Sequence, residues 1–121
     1  MCDNIIVTII KTGGQDMNTQ FKKGVLELCA LTVLMSGDRY GYELADMLGE
    51  KMAISEGSVY PMLKRLQSDG YFDTYLKESP NGPARKYYRI TLKGRDRQKL
   101  LQDQWCEFSN QVNSFFEGVI K

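Results

Sequence analysis

Between Ile54 and Lys99 the sequence places ten lysines and arginines against five carboxylates, a local charge of +5 in a chain whose net charge is only +1. The flanking stretches, residues 1–53 and 100–121, each carry −2. Within the basic stretch Lys64 and Arg65 follow Tyr60 and Pro61, and Arg85 and Lys86 directly precede Tyr87 and Tyr88. Cations interleaved with aromatic and small residues suit the binding of a phosphate backbone, which calls for charge and hydrogen-bond donors rather than a nucleophile or a base. Surface charge is also the ordinary mark of a solvated face, so these residues acquire meaning only from the elements that carry them.

Enzyme chemistry finds little support. The chain has no histidine, no glycine-rich phosphate loop, no cluster with metal-ligand spacing and no cysteine beside an identifiable base. No catalytic residue, cofactor or metal ligand is therefore expected. Cys2, Cys29 and Cys106 are too few and too scattered for a disulfide framework. Cys29 lies in an apolar run and Cys106 in a long helical pattern, so both are expected to pack as small hydrophobes in a reducing, cytoplasmic compartment. No apolar run approaches the ~18 residues of a membrane span, so no membrane partner is expected. With 121 residues, 42% of them hydrophobic, one core can be built.

The elements that must position the cations are readable from periodicity. Phe21 to Met35 is apolar on most faces, which predicts a helix covered on more than one side. Ser36-Gly37-Asp38 stops it. Gly41 to Met52 forms a second helix with Leu44, Ala45, Leu48 and Met52 on one face, and Ala53-Ile54 is the turn. In the third helix, Ser55 to Ser68, Val59, Met62, Leu63 and Leu66 face inward at i, i+3, i+4 and i+7. The outward side carries Gly57, Pro61, Lys64 and Ser68, flanked by Tyr60 and Arg65, small near its start and cationic a turn later. That profile suits entry into a groove about 12 Å wide. An ordinary amphipathic surface helix would look much the same. Pro61 removes a backbone hydrogen bond, which predicts either a late helix start near Ser58 or a distorted first turn.

Gly70 ends the third helix. Phe72 to Lys77 alternates as a strand, Ser79 to Ala84 is turn chemistry, and Arg85 to Ile90 returns with Tyr88 and Ile90 facing inward. Arg85 and Lys86 then stand at the tip end of the return strand, within reach of phosphate or a minor groove. Thr91 is expected to cap the last helix. Two helices, a further basic helix and a charged hairpin make up a winged helix-turn-helix, so the fold class is mainly α with a small β-hairpin wing, and the implied partner is double-stranded DNA.

In the last helix Leu101, Trp105, Phe108, Val112, Phe115 and Val119 follow spacings of 4, 3, 4, 3 and 4, an a/d stripe longer than so small a domain can cover. A second copy covering it would give a homodimer reading a palindromic operator. Packing back on the chain's own first helix is the alternative. Trp105 lies near the midpoint, where its two-fold mate would approach, and two facing indoles can clamp a flat aromatic effector. Residues 18–91 are thus read as the winged helix-turn-helix and 92–121 as the dimerisation helix.

Residues 1–17 are read as a flexible extension outside the fold. They lack the basic start, long apolar region and small-residue cleavage site of a secretory signal. Met17 is expected as the natural start, because Gly13-Gly14 necessarily encodes GGNGGN, which can match a ribosome-binding site just upstream.

Leu26-Glu-Leu-Cys-Ala-Leu31, Tyr40-Gly-Tyr-Glu-Leu44, Gly57-Ser-Val-Tyr-Pro-Met-Leu-Lys-Arg-Leu66, Gly70 and Pro83-Ala-Arg-Lys-Tyr-Tyr-Arg-Ile-Thr91 with Gly94 resemble the PadR family of transcriptional regulators. The likeness covers about residues 18–120 and, in its single C-terminal helix, is similar to the smaller subfamily. It implies a bacterial homodimeric repressor whose C-terminal helices exchange between protomers and whose DNA affinity a small-molecule inducer lowers. It also implies that Ser58, Tyr60, Pro61 and Lys64 lie on the recognition face, Tyr42 near phosphate, and Arg85 and Lys86 on the wing. Trp105 is similar to the tryptophan lining the drug pore of multidrug-responsive members, with Phe108 beside it. The wing departs from the family pattern, because Gly82-Pro-Ala-Arg stands where Gly-Arg-Pro-Arg is frequent, so one basic residue is missing. A winged helix serving only as a protein-interaction module is the other reading, and it predicts weak salt dependence where DNA binding predicts a steep one.

Overall fold

Each helix boundary has a local cause, and the boundaries fix how the basic segment is held. The computed structural model describes residues 19–120, so the expected extension over 1–17 lies outside the described residues. Helix α1 spans Thr19–Met35, strand β1 Arg39–Tyr40, helix α2 Gly41–Met52 and helix α3 Glu56–Ser68. Strands β2 (Phe72–Ser79) and β3 (Gly82–Ile90) and helix α4 (Leu92–Ile120) complete the chain. Helix α2 ends in a Schellman turn: Ile54 N–H donates to the Gly49 carbonyl at 3.0 Å and Ala53 takes the left-handed conformation with φ 52°. Helix α3 ends the same way around Gly70, with Tyr71 N–H on the Leu66 carbonyl at 2.9 Å and a glycine φ of 84°.

Of the two outcomes that Pro61 allowed, the late start near Ser58 is not observed. Helix α3 begins at Glu56 and runs through Pro61. The hydrogen bond that proline omits is the one to Gly57, an exposed residue of the first turn, where water can satisfy the carbonyl. Ser55 occupies the cap position in extended conformation, but its side chain makes no capping bond. Its hydroxyl instead lies 3.3 Å from that of Ser58.

The hairpin is longer and tighter than expected. Pro80 and Asn81 alone make the turn, and Lys77 pairs with Arg85, Tyr75 with Tyr87 and Phe72 with Ile90. A third strand was not foreseen: β1 pairs antiparallel with β3, Arg39 opposite Tyr88 and Tyr40 opposite Tyr87, giving the order β1-β3-β2. Two residues are too few for an alternating pattern, so only pairing reveals the strand.

Leu26, Leu31 and Leu34 of α1, Leu44 and Leu48 of α2, Val59, Leu63 and Leu66 of α3, and Phe72, Tyr88 and Ile90 of the sheet form the core. Cys29 packs against it, and burial pushes its thiol up. Cys106 is half-buried on α4.

Thr91 caps α4 as expected, its hydroxyl oxygen accepting from Gly94 N–H at 3.0 Å and lying 2.7 Å from the Gly70 carbonyl oxygen, to which it donates. Gly94 is there because the chain crosses Tyr71: a Cβ at 94 would run into the Tyr71 carbonyl and sit 2.7 Å from Ile90 Cγ1. The opening turns of α4 are therefore pinned to the wing's base. Beyond them the helix continues for 29 residues in all, about 44 Å at 1.5 Å per residue.

Candidate nucleic-acid interface

The outward side of α3 is as the periodicity required. Val59, Met62, Leu63 and Leu66 are buried, while Gly57, Pro61, Lys64, Arg65 and Ser68 are exposed and Tyr60 is 40% exposed. Ser58 is half-buried, at the edge of that side rather than on it. Tyr42, in the first turn of α2, is 58% exposed. The Tyr60 phenol is raised above its ordinary range by partial burial, then by the charge of Glu56 and by Tyr42 and Tyr40.

From Tyr42 a chain of rings leads to the wing. Its ring lies 6.2 Å from that of Tyr40, which lies 5.9 Å from Tyr87, itself stacked on Tyr75 at 5.7 Å. Cations cover these rings on the outward face of the sheet. The Arg85 guanidinium sits 5.0 Å from the Tyr40 centroid, Lys77 Nζ 5.2 Å from Tyr87 and the Arg89 guanidinium 5.1 Å from Tyr75. Such cation–π contacts hold long side chains upright while leaving the charge in water. Tyr75 also donates to Asp38 at 2.6 Å, which ties the hairpin to the loop before β1 and raises the phenol's pKa.

Arg85 and Lys86 are both exposed, but they are neighbours on one strand and point to opposite faces. Lys86 Nζ lies 5.7 Å from the Tyr88 ring, away from the Arg85 ladder. Because β3 starts at Gly82, Arg85 is its fourth residue, on the flank of the wing rather than at the turn. Lys64, Lys77, Arg85 and Lys86 form no ion pair among the described residues. Free cations of this kind are what a polyanion can recruit. Lys77, Arg89 and the ring ladder were missed from sequence. The period-2 run Arg85-x-Tyr87-x-Arg89 was a usable signal, whereas Tyr40 could not be placed without β1.

The described residues hold no group of three or more potential metal ligands, and no helix among them is long and apolar enough to cross a membrane. Chain comparison agrees with the geometry. The model of the transcriptional regulator PadR-like family matches residues 30–100. The chain belongs to that family. A PadR-like transcriptional regulator from Bacillus cereus strain ATCC 14579 is 40% identical, with 81% of this chain and 97% of that one covered and a TM-score of 0.72. A Streptococcus transcriptional regulator is 35% identical over 81% and 98% of the two chains, also at TM-score 0.72. An uncharacterized protein from Lysinibacillus sphaericus is 30% identical over 101 residues, 80% of this chain and 93% of that relative. The PadR-like fold and the basic wing together make the chain a DNA-binding transcriptional regulator.

The stripe on α4 divides. Leu101 packs against the chain's own core, and Trp105 is half-buried against α1. Phe108, Phe115 and Val119 are exposed, the last two at 76% and 82%, and Val112 is half-buried. Gly24, Val25 and Leu28 of α1 with Leu101, Gln104, Trp105 and Phe108 of α4 line a pocket of about 310 Å³. The Trp105 and Phe108 rings stand 6.4 Å apart there, tilted by 50°.

Proposed function

We propose that this PadR-like regulator is a cytoplasmic homodimeric repressor that reads a palindromic operator and is released by a small planar aromatic molecule. The observation that supports the DNA contacts is the exposed outward side of α3 with Tyr60 and Lys64, together with exposed Tyr42, the ring of Tyr40 beside it and Arg85 above that ring. Helix α3 enters the major groove, with Tyr60, Pro61 and Lys64 toward the bases and Ser58 at the edge of that side, while Tyr42, Arg85 and Lys86 hold the backbone. Exposed Phe108, Phe115 and Val119 on the distal part of α4 support association through that helix, continuing the stripe from Leu101, Trp105 and Val112. A two-fold dimer presents two recognition helices to half-sites about one helical turn apart.

The pocket between α1 and α4 supports the effector reading. Its volume of about 310 Å³ is at the small end of ligand sites, and its Trp105 and Phe108 rings offer stacking surfaces. A molecule there lowers DNA affinity only by as much as its own affinity differs between the two dimer states. Trp105→Ala is expected to abolish binding of planar aromatic dyes with the dimer intact; unchanged dye affinity would remove Trp105 from the site.

The deciding experiment is a fluorescence-anisotropy titration against DNA upstream of the protein's own gene, with a shuffled duplex as control, at two salt concentrations. Selective, salt-sensitive binding of two protomers per site is expected. Absence of binding to either duplex at low salt would favour a protein-interaction module instead.

A further inference from the structure

Glu27 is a carboxylate in the middle of α1 with only 7% of its surface exposed. A buried charge needs partners, and its two oxygens find them on different helices. Oε1 accepts from Arg97 Nε of α4 at 3.3 Å, and Oε2 lies 3.9 Å from Arg65 Nη2 of α3. The chain of contacts continues. Arg65 Nη1 is 3.9 Å from Asp69 Oδ2, and the Asp69 carbonyl at the end of α3 accepts from Lys93 Nζ of α4 at 2.7 Å. Arg97, Glu27, Arg65, Asp69 and Lys93 thus form a closed circuit from α4 through α1 to α3 and back. The Tyr71 ring lies beside it, with Lys93 Nζ 5.2 Å and the Arg97 guanidinium 5.7 Å from the ring centroid.

The members of this circuit are not equal. The Arg65, Asp69 and Arg97 side chains are 53%, 49% and 33% exposed, and the Glu27 side chain 10%. Exposed pairs are weak and screened by salt, so the geometry of the circuit depends on its buried carboxylate. Helix α1 packs against both α3 and α4, which makes it the body through which the two are related. We propose that Glu27 is a positioning residue. It fixes the orientation of the recognition helix relative to α4, and so the separation of the two recognition helices in the dimer. This inference rests on the reading above of α3 as the DNA-reading helix and α4 as the dimer helix. Val25 and Leu28, either side of Glu27, line the α1–α4 pocket, so an occupant of that pocket bears on the same turn of helix.

The test is half-site spacing. A preferred duplex is first selected from a random-sequence library with the wild-type protein, and then lengthened or shortened by one base pair at its centre. That change rotates one half-site by roughly 35° about the DNA axis. Wild-type protein is expected to lose about tenfold or more in affinity, comparable to a mismatched base pair. Glu27→Gln keeps the shape and an acceptor for Arg97 but removes the charge. It is expected to bind the selected duplex, with its penalty for altered spacing falling to about threefold or less. Lower stability by itself would not relax spacing. Should Glu27→Gln fail to fold by circular dichroism, Arg97→Lys, which keeps the charge and loses the Nε donor, is measured in its place with the same expectation. A variant as discriminating as wild type, or a wild type indifferent to spacing, would overturn the inference and leave the DNA reading standing. A wild type that selects no sequence would overturn both.

Discussion

Removing the Arg85 guanidinium should reveal its role through salt. The side chain is exposed, without a carboxylate partner among the described residues, and held 5.0 Å above Tyr40. In a two-fold dimer Arg85→Ala removes two such cations. Each phosphate contact contributes about 0.9 to the slope of log affinity against log salt, so the slope should fall by about 1.8. Taking 1 M salt as the reference where this contribution vanishes, the loss is about 30-fold at roughly 0.15 M salt and about 200-fold at roughly 0.05 M. Anisotropy titrations over that range, on selected and shuffled duplexes alike, measure both numbers. Because a phosphate contact carries no sequence information, both duplexes should lose affinity equally. A loss that stays constant with salt would refute the reasoning, since it would mean Arg85 acts by bracing Tyr40 rather than by neutralising phosphate.

Thr91→Ala removes the cap on Gly94 N–H and the bond to the Gly70 carbonyl, about 1 kcal/mol each, for a loss of about 2 kcal/mol in urea denaturation. Thr91→Ser retains both and should stay within about 0.5 kcal/mol of wild type, and equal losses in the two variants would exclude the hydroxyl as the cause. Burial, then the nearby Tyr60, raises the Tyr88 phenol above its ordinary value. The folded state therefore holds that proton longer than the unfolded chain, and the associated stability is fully present below about pH 10 and lost as pH rises through the higher native value. Tyr88→Phe should flatten that alkaline decline in stability measured from pH 8 to 11, whereas an unchanged decline would assign it to other groups.

Much of the fold was legible because its signals are local. The Val59, Met62, Leu63, Leu66 spacing, the Gly70 terminator and the Thr91 cap depend on residues within a turn or two of one another, and each appears where it was expected. Pro61 left two outcomes open, and the late start fails because the bond that proline omits falls in the exposed first turn, where it costs little. The turn over Ser79 to Ala84 was drawn too wide because Ser, Gly, Pro and Ala near a hairpin end read as loop, although residues 79 and 82 pair. Nothing in Arg39-Tyr40 marks a strand, so the ring ladder over the wing could not be assembled from sequence.

The α4 stripe marks the division between the two kinds of information. Its spacing alone determined that one side of that helix is apolar and must be covered. Only the tertiary structure decided that Leu101 is covered by the chain's own core, while Phe115 and Val119 project beyond it. Likewise, charge and periodicity placed Arg65 and Arg97 on helices, but the chain's path brought both to Glu27, residues apart in sequence and adjacent in space. Periodicity records which residues share a side of one element. What that side meets is set by long-range packing, because the partners lie tens of residues away and leave no periodic trace in the sequence between them.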